Sequence, residues 1–190
     1  MEKDKQKITD DTAIKEAVAA LPLTSDVDMR IARDGQWYHE GRRIERKPLV
    51  RLFSTVLRRD AEGAYWLVTP VERARILVED SPFVAVEIRH SGEGQNRIVS
   101  FRNNVDSWFD LDGDHPIRFE TESGAAGEIQ NNSEKEVPVP YLLVRDGLEA
   151  RVLRSVYYQL VDLAEVREDK IGVWSKGKFH VFGNVEQIDE

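Results

Sequence analysis

Residues Val27 to Glu40, VDMRIARDGQWYHE, read as a β-hairpin. Alternating side chains flank Asp34-Gly35, the kind of pair that a two-residue turn with positive φ prefers. Such a turn sets Ile31 opposite Tyr38, Ala32 opposite Trp37 and Arg30 opposite His39. One face of the ribbon then carries Met29, Ile31 and Tyr38, and the other Arg30, Trp37 and His39.

A helix is expected next. Pro48 suits its first turn, where a missing N–H costs nothing. Leu49, Leu52, Phe53, Val56 and Leu57 recur at helical spacing as an apolar stripe. Lys47, Arg51, Ser54, Thr55 and Arg58 lie opposite, basic and without an acidic partner at i+4.

Downstream, the segments 64–69, 72–78, 82–89, 97–101 and 117–120 read as strands, joined between 103 and 116 by an irregular acidic connection. The segment 138–144 is another strand, whose prolines favour an edge. A second long helix is expected from Leu148 to Val166, after Asp146-Gly147. Residues 171–183 close the chain as a hairpin turning at Lys176-Gly177. Upstream, residues 1–10 read as a tail, followed by a short helix from Asp11 or Thr12 to Leu21 that Pro22 ends. Residues 121–136, low in apolar content, read as a flexible loop.

The two hairpins look related. Arg33 to Gly41 lies over Ser175 to Gly183, with turn glycine, aromatic pair and trailing glycine coinciding. This suggests one helix on a small antiparallel sheet, used twice, although ordinary turn statistics produce similar matches.

Composition excludes several classes. With no cysteine among 190 residues there is no disulfide scaffold, zinc ribbon or thiol nucleophile. No apolar run reaches the length of a membrane span, and the charged N-terminus lacks a secretory core, so a cytoplasmic protein is expected. Net charge is −8, unevenly placed: residues 27–60 hold 9 basic and 5 acidic side chains, so the rest of the chain is net −12.

Two motifs nearly match. Gly172 to Lys178 has phosphate-loop spacing, but Phe179 replaces the hydroxyl that would hold magnesium and no helix follows, so it reads as a hairpin turn. Asp110, Asp112 and Asp114 match the first ligands of a calcium loop, but His115 and Thr121 replace its turn glycine and closing glutamate. His39, His90, His115 and His180 have no chelating spacing. No catalytic residue, metal or cofactor is assigned.

Two features remain. One is the basic helix face, with Arg42, Arg43 and Arg46 leading into Lys47, Arg51 and Arg58; it is a contact surface or a solvated face. The other is the Arg30, Trp37 and His39 side of the first hairpin, a ligand contact or a buried second face.

The blocks RKPLVRLF (46–53), LVTPVERARI (67–76) and VEDSPFVAVEI (78–88) carry a resemblance. With DMRIARDGQWYHEGRRI (28–44), LEARVLRSVYYQLVDLA (148–164) and GVWSKGKFHVFG (172–183), the chain resembles the proteobacterial domain-of-unknown-function family numbered 1285. The resemblance implies two small α+β domains related by duplication, the second superficially similar to pleckstrin-homology-like barrels. It also implies a ligand site in the groove between them and a signalling or regulatory role.

The expected fold is therefore α+β, with mainly antiparallel sheets and one long helix per domain. Residues 1–22 form a tail and short helix, 23–80 the N-terminal domain and 81–190 the C-terminal domain. The expected function is a non-catalytic regulatory module binding an acidic ligand through Arg30, Trp37, His39, Arg42, Arg43, Arg46, Lys47, Arg51 and Arg58. An acidic protein is favoured over nucleic acid, because net −8 opposes long-range attraction of a polyanionic backbone. The alternative is an enzyme using a cleft carboxylate such as Glu79 with His39. Oligomeric state is left open.

Overall fold

The structure, a computed structural model, describes residues 27–121 and 138–184. The expected N-terminal helix and the expected loop beyond Thr121 lie outside the described residues. The chain divides into two compact units, Met1–Asp80 and Ser81–Glu190.

Among its described residues, unit 1 is a six-stranded sheet with one helix. Its strands are β1 (Met29–Ile31), β2 (Trp37–His39), β3 (Arg42–Arg43), β4 (Leu57–Arg59), β5 (Tyr65–Val68) and β6 (Arg73–Val78). They run in the order β3-β2-β1-β6-β5-β4, antiparallel except for β1 beside β6. Helix α1 (Lys47–Val56) links β3 to β4, with Pro48 in its first turn.

The first hairpin forms in a different register from the expected one. Ile31 pairs with Trp37, Arg30 with Tyr38 and Met29 with His39. The cause is a three-residue loop, closed by Ala32 N–H donating to the Gln36 carbonyl at 2.9 Å. Gly35 takes φ 78°, and the Asp34 carboxylate accepts the Gln36 N–H at 3.0 Å. One extra loop residue moves every β2 side chain to the other face. Trp37 therefore joins Met29 and Ile31 in the core, 1% exposed and stacked on Phe53 of α1 with centroids 6.0 Å apart.

Helix α1 is also rotated from its expected setting. Ser54 is buried, donating its hydroxyl to the Arg51 carbonyl at 2.7 Å, while Leu52 is exposed.

Unit 2 repeats the strand order. Its strands β7 (Phe83–Ser91), β8 (Ile98–Asn103), β9 (Trp108–Asp110), β10 (Ile117–Thr121), β11 (Pro138–Arg145) and β12 (Leu148–Val152) form a sheet ordered β10-β11-β12-β7-β8-β9. Read from β9, this is the order of unit 1 with six added to each strand number. The parallel pair recurs too, β7 beside β12. Helix α2 (Arg154–Val161) follows β12 and buries Val156 and Leu160. A three-stranded sheet of β13 (Glu165–Arg167), β14 (Lys170–Ser175) and β15 (Lys178–Asn184) completes the unit.

The single long helix expected from Leu148 to Val166 is thus a strand, a two-turn helix and another strand. Asp146 and Gly147, at φ 47° and 72°, form a hairpin turn between β11 and β12. Leu148, Ala150 and Val152 then face the core at the two-residue spacing of a strand.

Strand β11 is internal, against the edge expected from its prolines. Pro138 and Pro140 pair with β10, and the register with β12 begins only at Tyr141. Each proline thus sits where a donor toward β12 is not needed.

The two hairpins expected to be equivalent are not. The first has a three-residue loop within a six-stranded sheet, and the second turns in two residues, Lys176 and Gly177, within the three-stranded one. Gly41 lies in a turn at φ 72°, whereas Gly183 lies in β15. What recurs between the units is the six-strand order.

Candidate binding face

The pairing of unit 1 assigns each side chain to a face. Arg30 pairs with Tyr38 on one side and Leu77 on the other, and Tyr38 pairs with Arg43. Arg75 and Arg73 alternate with buried Ile76 on β6, and Trp66 pairs with Arg75 and with Arg58. The face away from the Trp37 core therefore carries Arg43, Tyr38, Arg30, Leu77, Arg75, Arg73, Trp66 and Arg58.

Aromatic rings lie under two of these arginines. The Arg30 guanidinium lies 4.4 Å from the Tyr38 centroid, and that of Arg73 lies 4.7 Å from the Trp66 centroid. Trp66 Nε1 donates to Asp60 at 2.7 Å, which fixes the indole. A guanidinium stacked on a ring keeps its in-plane donors for an oxygen acceptor. Arg73 Nε is buried with no hydrogen-bond partner.

The carboxylates of this face are engaged. Arg30 pairs with Glu79, whose other oxygen accepts the Arg33 N–H at 3.0 Å. The Arg30 hydrogen bond, then that from the Arg33 backbone, holds the Glu79 carboxyl below its ordinary pKa. Arg58 Nη1 donates to the carbonyls of Thr55 (2.9 Å) and Leu57 (2.7 Å), closing the end of α1. Among the described residues, Arg43, Arg73 and Arg75 make no ion pair with a carboxylate. Leu77, central among them, is 59% exposed.

The nine residues singled out from the sequence do not make one patch. Arg30, Arg43 and Arg58 lie on this face. Trp37 is in the core, and its indole N–H is buried without an acceptor, so no surface partner reaches it. His39 and Arg42 pair with each other and share the Trp37 face at its exposed end. Arg46, Lys47 and Arg51 are exposed on or beside α1, which packs through Phe53 on the Trp37 face.

Glu79 and His39 stand on opposite faces of the sheet, so the proton-transfer pair is not assembled. Tyr38, Trp66, Arg73, Arg75 and Leu77 were not singled out, because β1 meets β6 across 47 positions of sequence. The one local trace of this face is the alternation Arg73-Ala74-Arg75-Ile76.

The two near-motifs have structural explanations. The strand–turn–strand reading of 172–178 holds. A Cβ on Gly172 would collide with the His180 carbonyl oxygen, and Gly177 takes φ 74° in the turn. In the acidic loop, Lys176 Nζ bridges Asp110 at 2.9 Å and Asp112 at 3.1 Å, standing where a cation would stand. Burial opposes ionisation of Asp112. Hydrogen bonds from His115 and Lys176, and from the backbone of His115 and Asp114, overcome it and lower the pKa to about 2. Among the described residues, no group of three or more acidic, histidine or cysteine side chains is placed to hold a metal.

Two like-ordered sheets, with one helix in each unit among the described residues, and a cationic sheet face define a two-unit, mostly β protein with a candidate anion-binding surface. No helix among the described residues is long and apolar enough to cross a membrane. The family models of DUF1285 match both parts: the N-terminal domain of unknown function over residues 21–81, and the C-terminal domain of the protein of unknown function over residues 82–182. The chain belongs to the DUF1285 family. A DUF1285 family protein from Silicibacter pomeroyi DSS-3 is similar at 38% identity, with TM-score 0.77, over 90% of this chain and 87% of that one. A second, from Shewanella baltica OS155, shares the fold at 20% identity, with TM-score 0.52, over 72% of this chain and 91% of that one. No curated protein matches the chain.

Proposed function

We propose that this protein is a non-catalytic regulatory module that binds an acidic protein segment on the open sheet face of unit 1. The observation that carries the reading is Arg43, Arg73 and Arg75, without carboxylate partners among the described residues, around an exposed Leu77. Planar guanidiniums suit carboxylates bidentately, and an exposed leucine among them suits an apolar side chain carried with the acids. A nucleic acid would need open aromatic faces for its bases, whereas Tyr38 and Trp66 are each covered on one side by an arginine. The net charge of −8 repels an acidic segment from the rest of the surface and so favours one orientation of approach at this face.

The same strand order in both units supports a duplicated sheet, of which one copy kept a free cationic face. Unit 2, an antiparallel-rich sheet followed by an amphipathic helix, is the part that the pleckstrin-homology likeness concerns.

The test is a titration with a synthetic Glu-rich peptide containing leucine, followed by NMR. Shifts centred on Arg43, Arg73, Arg75 and Leu77 are expected, weaker for the Glu→Gln peptide. Shifts centred elsewhere, or tighter binding of a charge-matched single-stranded RNA, overturn the reading.

A further inference from the structure

Helix α2 carries a second surface, independent of the arginine face. Its buried side is Val156 and Leu160; Tyr158 (58% exposed) lies opposite, Val161 (41%) lies beside it, and Leu153 (41%) precedes the helix. Behind them Tyr157 lies against Phe119 (centroids 6.1 Å), and Phe119 against Phe182 (5.6 Å), so the exposed side chains stand on a firm aromatic base.

The charges at the two ends of α2 are reversed with respect to its own dipole. Arg154 opens the helix and Asp162 follows its last residue. A helix favours anions at its N-terminus and cations at its C-terminus, so both groups are set against the local field. Neither makes an ion pair within the described residues. A second α2 running antiparallel across this surface brings Arg154 of each copy beside Asp162 of the other. Tyr158 meets its own counterpart near the axis. The surface is complementary to itself under a two-fold rotation, which a closed dimer requires.

We infer that α2 is a self-association surface, and that its occupant is a second copy of this chain. The charge placement supports that occupant. A purely apolar partner leaves both charges unmatched, and a uniformly acidic or basic one repels one end.

Sedimentation of the full-length protein over a concentration series tests this. A reversible monomer–dimer equilibrium is expected. Arg154→Glu alone and Asp162→Arg alone each weaken it by about tenfold, because two symmetry-related pairs become repulsive. The double variant, with the charges exchanged, restores it. Each single change also improves the match to the helix dipole, so thermal stability holds or rises while dimerisation falls. Tyr158→Ser weakens the dimer without changing a charge. A monomer at every concentration, a dimer that ignores both single changes, or a double variant no better than the singles contradicts the inference.

Discussion

The two six-stranded sheets share a strand order but treat their arginines differently. In unit 2, Arg118 of β10 binds Glu149 at 2.5 Å and also pairs with Glu120, while lying over the Tyr141 ring. Arg102 of β8 binds Glu87 and Asp106. In unit 1, Arg43, Arg73 and Arg75 have no such partners among the described residues. On β12 the outward Glu149 meets Arg118 of β10, whereas the outward positions of β6 beside Trp66 are the arginines Arg73 and Arg75. A shared strand order thus carries different charges on the two sheets.

Those pairs make Arg118 and Arg102 structural. Arg118→Ala leaves Glu149, only 17% exposed, without its main partner and uncovers Tyr141. Thermal denaturation should show a loss of about 1–2 kcal/mol, discounted for the partial exposure of Arg118, and the acidic peptide should bind as before. A stable variant with weakened binding would erase the contrast.

A smaller effect separates two groups of unit 2 by pH. Burial, then the nearby Lys178, lowers the pKa of His180, on the three-stranded sheet of unit 2. The unfolded chain accepts that proton more readily. The contribution of His180 to stability is therefore complete above about pH 6.5 and is lost as pH falls toward its folded pKa. Asp112 behaves differently: its contribution persists to about pH 4 and is lost as pH falls toward about 2. Denaturation curves of His180→Phe should lose the step nearer neutrality and keep the acidic one. Retention of both steps would assign the upper one to another group.

Much of this arrangement is legible along the chain, and the rest is not for definite reasons. Strands β5 to β8 and the turn at Lys176-Gly177 follow from alternation and turn residues, which are local signals. The hairpin register depended on one loop residue, and Asp34-Gly35 serves a two- or three-residue loop equally well. Asp146-Gly147 is the same kind of signal, yet the apolar positions after it fit a helical period as well as the strand that forms. The arginine face was half visible as a basic island. The sheet then divided that island between its two faces, and the residues joining Arg30 and Arg43 came from β5 and β6, which no spacing in the sequence connects to them.

The most direct measurement compares two charge-matched double variants. Arg43→Glu with Arg75→Glu, in unit 1, and Lys170→Glu with Lys178→Glu, on exposed strand positions of unit 2, both take the net charge from −8 to −12. Calorimetric titration with the Glu-rich, leucine-containing peptide should show affinity falling about a hundredfold for the first, roughly tenfold per reversed arginine. For the second it should stay within about threefold, the share of net charge alone. Equal losses in both variants would mean that the peptide senses only overall charge, and the arginine face of unit 1 would not be a binding site.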